Sequence, residues 1–283
     1  MVLSSAARPY TATWTRAQTE LTEAGHKPSM FLLEALQKAG AKLPEVDAYL
    51  AVGSPAAVWL DARLPAKTPM VFCMVAWPGQ TSLTDETPRA GVAATVAIAR
   101  QLELIGQALP GEQKIGMLTR SDSQLSRWMV KSVALSLPRR WEMVAVAIDK
   151  HKTPADAINA LMNEKPTVVL ATVDANIYSV PVIRTLLLEA LRHRVAVMGF
   201  SAGFVQAGAL LGTDIDPEAQ AAQAVGLLVR LYGTDKPAKA GDIAAEAPKF
   251  DIAVNQIVAE RIQRPLSRKL VESARYVYAR EDK

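Results

Sequence analysis

Reactive side chains are scarce in this chain. It has 1 cysteine and 3 histidines among 283 residues. A lone cysteine, Cys73, excludes an internal disulfide and any metal site built on several thiolates. It lies in the apolar run Met70-Val-Phe-Cys-Met-Val-Ala76, the setting of a small core hydrophobe rather than of a thiol nucleophile. One cysteine suits the cytosol and equally a secreted chain without stray thiols. Long apolar runs are missing too: nothing approaches the ~20 residues that a membrane-spanning helix needs. No Lys/Arg run exceeds two residues, and the net charge of +4 comes from 32 basic and 28 acidic residues mixed along the chain. A phosphate-tracking stripe is therefore absent, and nucleic acid is not an expected partner.

The scarcity extends to catalytic constellations. His26 follows Gly25 at a predicted helix end, His151 lies between two lysines, and His193 lies between two arginines. None falls at the carboxyl end of a predicted strand, so solvated surface histidines are the reading. Gly199-Phe-Ser201-Ala-Gly203 has the bare G-x-S-x-G spacing, but no histidine follows Ser201, and the order Ser, acid, His fails. Neither a Walker loop nor a G-x-G-x-x-G turn occurs. No His/Cys/Asp group has metal-ligand spacing, so neither a metal nor a cofactor is expected, and an enzyme is disfavoured.

Hydrophobic pattern is plentiful. Half of the residues are hydrophobic and 21% are charged, which excludes a disordered chain. The length suits one large α/β unit or two lobes. Short β-rich runs alternate with longer amphipathic stretches: Val2–Ser5 then 11–24, Ser29–Leu33 then 34–39, Ala48–Val52 then 55–64, and Pro69–Ala76 then a loop and a helix over 89–108. The pattern continues with Lys114–Leu118 then 123–137, Trp141–Ile148 then 154–163, Thr167–Ala171 then 178–193, and Ala196–Phe200 then 202–207. Such alternation predicts an α/β fold with parallel sheets covered by helices on both faces. Gly53-Ser-Pro-Ala56, Thr153-Pro-Ala-Asp156 and Asp216-Pro-Glu218 read as helix starts, the last opening a helix to about Tyr232. Leu109-Pro-Gly-Glu-Gln113 reads as a boundary between halves. Lys249–Val254 is expected to be a final strand, followed by a basic helical tail bearing Arg261, Arg264, Arg268, Lys269, Arg275 and Arg280.

Predicted strand ends fall at Ser4-Ser5, Gly53-Ser54 and Trp77-Pro78 in the first half. In the second they fall at Arg120-Ser121-Asp122, Asp174-Ala-Asn176 and Ser201-Ala-Gly203. The carboxyl edge of a parallel sheet is where such folds bind ligands, so two facing halves would line a cleft with small polar residues. Gly53-Ser54 opens a helix whose N–H groups suit a carboxylate or phosphate, or an ordinary cap. Asp174 ends the apolar run Val168–Val173 and can receive an ammonium or hydroxyl group, or cap the next helix. Asp214 lies where the chain can cross between halves, and Asp216 reads as an N-cap. Tyr10, Trp77, Tyr178 and Phe204 follow strand ends, where an aromatic can wall a flat ligand or belong to the core.

The second half resembles a known family. Val195-Ala-Val-Met-Gly-Phe-Ser201, Phe204-Val205, Gly208-Ala-Leu-Leu211 and Asp214-Ile-Asp216 are similar to segments of the ABC-transporter substrate-binding proteins of tryptophan type. The likeness continues in Gln220–Gly233, Pro248–Asn255 and Ala259, and upstream in Gln101–Leu104, Leu109–Gly111, Lys114–Leu118 and Thr172–Asp174. It covers the chain from about Asp47 onward. The resemblance implies a type I periplasmic-binding fold of two doubly wound parallel-sheet lobes with an interlobe cleft. Residues 1–110 and 216–252 would form lobe 1, and 111–215 and 253–283 lobe 2. It implies a monomeric periplasmic protein that closes on a small molecule and is read by a membrane permease. Met1–Tyr10 is too short and polar for a signal peptide, so the likeness implies that the signal has been removed. By the same likeness Gly53-Ser54 meets a ligand carboxylate, Asp174 supplies a polar contact, and Ser201 and Asp214 line the cleft. Trp77-Pro78 stands where members often have Asp-Pro, and Ala90-Gly91 where they often have Thr-Gly, which leans toward an aromatic or apolar solute. Ser5, Tyr10, Ser121, Asp122 and Asn176 complete the expected site. Other readings are a sensor feeding a membrane kinase or receptor and the ligand-binding core of a transcription regulator, which would need a helix-turn-helix headpiece.

Overall fold

The alternation resolves into two sheets, each with its own core. A computed structural model describes residues 1–38, 43–65, 68–76, 89–232 and 248–280. The chain forms two units, 1–96 with 215–249 and 97–214 with 250–283, so it passes from one unit to the other three times.

Unit 1 opens with β1 (Val2–Leu3), α1 (Arg8–Glu23), β2 (Phe31–Leu32) and α2 (Leu33–Lys38). It continues through β3 (Tyr49–Val52), α3 (Ser54–Asp61), β4 (Met70–Val75) and β5 (Arg89–Ala93). Its five strands run parallel in the order β2-β1-β3-β4-β5. Every residue of β3 is buried, because helices cover both faces of a parallel sheet.

Unit 2 follows with α4 (Ile98–Ala108), β6 (Lys114–Thr119), α5 (Gln124–Ser136), β7 (Glu142–Ala147), a 3₁₀ turn at Ile148–Lys150, and α6 (Pro154–Asn163). Then come β8 (Val168–Leu170), α7 (Val180–Arg192), β9 (Ala196–Gly199), α8 (Ala202–Ala207) and β10 (Leu211–Asp214). The chain returns to unit 1 as α9 (Pro217–Tyr232). It ends in unit 2 with β11 (Asp251–Asn255), α10 (Gln256–Arg261), α11 (Arg268–Ser273) and β12 (Tyr276–Tyr278). The seven strands have the order β12-β11-β10-β9-β8-β6-β7, parallel except for the β10–β11 pair.

The cores follow from the period-2 strand pattern. On one face of the first sheet, Leu3, Leu50, Val52, Val71 and Cys73 pack with α1 and α9 residues such as Ala17, Leu21, Ala224 and Leu227. On the other, Val2, Ala51, Met70 and Phe72 pack with Leu36, Ala57 and Leu60. In unit 2, Leu118, Val169, Ala171 and Val197 meet α6, α7 and α8, whereas Met117, Leu170, Met198, Leu211 and Val254 meet α4, α5, α10 and α11.

Three sequence expectations change. The stretch 89–108 is not one helix: Arg89–Ala93 pairs with β4, and the helix starts at Ile98. Tertiary pairing overrides local pattern here. Gly91 lies so close to Phe72 that an added Cβ would sit 2.4 Å from its ring, and only glycine lets the strands pair. The Leu109–Gln113 break does not separate the units, because Leu102, Ile105 and Ala108 of α4 are buried against Ile115 and Met117. The tail is not a continuous helix. It turns at Gln263, with φ of 59°, passes Pro265, and ends as β12 in the sheet. Of its basic residues, Arg268 pairs with Glu272, Arg275 with Asp251 and Arg280 with Glu260.

Candidate functional site

At the carboxyl edge of the first sheet, parallel pairing of β1 with β3 sets Ser4 beside Gly53. The Ser4 N–H donates to the Val52 carbonyl at 3.0 Å, and the Gly53 N–H donates to the Cys73 carbonyl at 2.9 Å. Gly53 is the N-cap of α3 in place of the expected Ser54, with φ of 92°. A Cβ there would lie 2.5 Å from Ser4 Oγ and 3.0 Å from the Tyr10 ring, so glycine is required twice over. The first turn of α3 is also less open than its sequence suggests. Pro55 has no N–H, and the Ala56 N–H donates to Ser4 Oγ at 3.0 Å. Ser54 keeps the remaining donor of that turn. Tyr10, in the first turn of α1, is half-buried beside Gly53, whereas Ser5 is exposed and its Oγ accepts the Ala7 N–H at 3.3 Å. Trp77 lies outside the described residues. Sequence reading missed Gln220, a fully buried amide that accepts from the Met74 N–H at 2.9 Å and donates to the Ala93 carbonyl at 2.8 Å, tying the ends of β4 and β5 to α9.

Unit 2 carries more charge at its edge. Arg120, just past β6, holds Asp122 through two bonds of 3.1 and 2.9 Å. Those bonds raise the Arg120 pKa and lower that of Asp122, and the charges of Asp149 and Asp174 add to the rise. Ser121 donates to Asp149 from its N–H at 2.8 Å and from its hydroxyl, which lowers the Asp149 pKa. Sequence reading missed Asp149, because it lies in the turn after β7 and only the fold brings it to Ser121.

Asp174 is 5% exposed. Its Oδ1 accepts the Asn176 N–H at 2.9 Å, and its carbonyl accepts the N–H groups of Ile177 and Tyr178. Asn176 is exposed on that turn. The carboxylate forms no ion pair with a described residue; the nearby guanidinium of Arg120 is engaged by Asp122. Ser201 caps α8, its Oγ accepting the Phe204 N–H at 3.1 Å, and Asp214 Oδ1 accepts the Ala202 N–H at 2.7 Å. Both thus serve a helix start. Tyr278 of β12 donates to the Ala202 carbonyl at 3.2 Å, and burial raises its pKa.

The expected aromatics divide. Tyr178 and Phe204 are core residues, 6% and 4% exposed, and burial raises the Tyr178 pKa. The Tyr178 hydroxyl is buried without a hydrogen-bond partner among the described residues. Both rings meet Phe200 edge-on, with centroids 5.9 and 5.2 Å away. Phe200 is half-buried, and sequence reading passed it over as the last residue of a strand. Among the described residues, no group of three or more His, Cys, Asp or Glu side chains could hold a metal ion.

A family model described as ABC transporter substrate binding protein matches residues 32–277. The chain belongs to the ABC transporter substrate-binding protein family. Solved structures agree on the fold. A Streptococcus pneumoniae ABC domain in complex with L-Trp superposes with a TM-score of 0.71 at 16% identity, covering 98% of each chain. A ligand-free, open substrate-binding protein with adhesive properties from Clostridium difficile gives 0.73 at 16% identity, covering 99% of this chain and 98% of that one. A sugar-binding protein of a Bacillus halodurans ABC transporter gives 0.65 at 12% identity, covering 93% and 97%. No curated protein sequence matches. This substrate-binding protein is thus an α/β protein of the periplasmic-binding type, in a family that binds solutes and is not an enzyme family.

Proposed function

We propose that the protein is the solute-binding component of an ABC importer, working outside the cytoplasmic membrane and handing its ligand to a membrane permease. The observation that carries this reading is the family match across 32–277. The site supports it: among the described residues, the strand ends of each unit offer hydrogen-bonding groups and no positioned nucleophile–base pair. The ligand is a small molecule recognised by groups at carboxyl strand ends. In unit 1 the turn Gly53-Ser54, with Ser5 and Tyr10, receives its carboxylate. In unit 2 Asp174 receives a donor group, with Ser121, Asp122, Asn176, Ser201 and Asp214 around it. Ligand binding shifts the protein toward whichever conformation binds the ligand more tightly. No chemical step is involved, and the protein acts as a monomer.

Mass spectrometry of protein purified under native conditions and then denatured tests the reading. A small molecule released at near-equimolar amount, which raises Tm when added back, is the expected result. No released compound, and no Tm shift with amino acids, sugars or nucleosides, would count against it.

A further inference from the structure

We infer that the exposed face of α5 rests on an anionic lipid surface, with Trp128 and Leu135 as its apolar contacts and Arg127 and Lys131 as its cationic ones. The inference goes beyond the solute-binding reading and does not depend on the ligand or its site.

The helical period divides α5 into two faces. Ser126, Met129 and Val133 are buried, and Leu125 packs beside them on the core of unit 2. Gln124, Arg127, Trp128, Lys131 and Leu135 take the opposite side and are exposed. A surface helix ordinarily keeps large apolar side chains off that side. Here Leu135 is 78% exposed, more than any other large hydrophobic side chain among the described residues, and Trp128 is 36% exposed. At 3.6 residues per turn, their spacing sets the two nearly in line two turns apart, with Lys131 between them.

The charges are the second, independent observation. Other helices pair their charges along the helix: Arg16 with Glu20 in α1, Glu34 with Lys38 in α2, Glu189 with Arg192 in α7, and Arg268 with Glu272 in α11. α5 has no acidic residue. Arg127 and Lys131 stand one turn apart, where like charges weaken a helix slightly. Arg127 donates to the Ser121 carbonyl at 3.2 Å, a neutral partner that leaves its charge uncancelled. No Asp or Glu occurs from Ser123 to Trp141, and Arg139 and Arg140 follow the helix. Nearby carboxylates are already engaged: Asp122 by Arg120, Glu103 of the neighbouring α4 by Arg100, and Glu112 by Arg140 at 3.9 Å. Local helix stability does not explain this pattern, whereas an anionic partner does.

Lipid suits the face better than an acidic protein. A protein would need a separate pocket for each of two apolar side chains flanking a lysine, and fluid acyl chains receive them without one. Cations meet the headgroup phosphates, while the indole and the leucine enter just beneath. Tryptophan fits that depth, because its ring is apolar and its N–H polar. Each cation near an anionic surface strengthens partitioning about fivefold, so two to four of them beside two apolar contacts give a reversible, salt-sensitive attachment.

Flotation of the full-length protein with vesicles tests this. Vesicles of phosphatidylcholine with an equal share of phosphatidylglycerol are expected to carry the protein at low ionic strength. High salt, or phosphatidylcholine alone, is expected to release it. The double variant Trp128→Ala with Leu135→Ala, and Lys131→Glu alone, are each expected to weaken binding about tenfold or more. Lys269→Glu, the same charge change on the exposed side of α11, is expected to weaken it by about twofold at most. Lys131→Glu carries the test if the double variant does not fold. No flotation of the wild type with anionic vesicles, equal flotation with phosphatidylcholine alone, wild-type binding by the folded variants, or equal losses from Lys269→Glu and Lys131→Glu overturns the inference. So does a dimer by analytical ultracentrifugation that Leu135→Ala dissolves, because a second copy would then cover this face.

Discussion

Cys73 shows how far one side chain's environment decides its chemistry. It is fully buried in β4, and burial pushes its thiol up to about 12. The thiolate is the reactive form, so at pH 8 the native protein is expected to resist iodoacetamide, with labelling appearing only on unfolding in urea. Rapid labelling in native buffer would contradict this placement. Gly53 and Asp174 differ in legibility. The strand-to-helix turn at Gly53 was readable from Gly-Ser-Pro, but the capping hydroxyl comes from Ser4, 52 positions before the Ala56 whose N–H it accepts. Asp174 was readable as a polar stop after an apolar run. Its near-complete burial was not, because burial is set by tertiary packing around the strand end.

At the scale of elements, Arg89 accounts for the main difference between sequence and structure. Local pattern runs 89–108 as a helix, yet β5 is held to α3 and the loop after it. Arg89 Nε donates to Asp61 Oδ1 at 2.9 Å, and its guanidinium also reaches the carbonyls of Thr68 and Leu64. The two side chains are 1% and 10% exposed. Breaking a buried pair by removing one partner costs about 3–5 kcal/mol. Arg89→Ala is therefore expected to lower unfolding stability by that order in urea melts, and a loss below 1 kcal/mol would show that the pair does not hold β5 in place. Other elements were legible because their signals are local. Thr153 and Asp156 form a reciprocal capping box at α6, and Asp216 accepts the Glu218 N–H at the start of α9.

For the whole molecule, the three crossings between units are the decisive fact. Unit 1 is completed only by α9, whose Ala221, Ala224, Val225, Leu227 and Leu231 cover one face of a sheet formed by the first 93 residues. A fragment of residues 1–96 keeps all five strands but leaves that apolar face in water. It is expected to show a disordered or aggregated state by circular dichroism and gel filtration, whereas the full chain folds. A cooperatively folding fragment would mean that α9 is dispensable. That the chain holds two α/β sheets was readable from the order of strand ends, while the boundary after Val96 was not. A Pro-Gly break marks a turn wherever it occurs, and only packing tells which core the helix before it joins.

The sequence by itself determined the class of fold. Apolar runs alternating with amphipathic stretches bury their hydrophobic surface as sheets covered by helices. Tertiary structure decided which side chains meet. It took Tyr178 and Phe204 into the core, left Phe200 half in water, set Ser4 on the turn at Gly53, and brought Asp149 to Ser121. These are contacts between distant positions, fixed by strand register and helix packing, and a pattern read along one chain carries no distance between them.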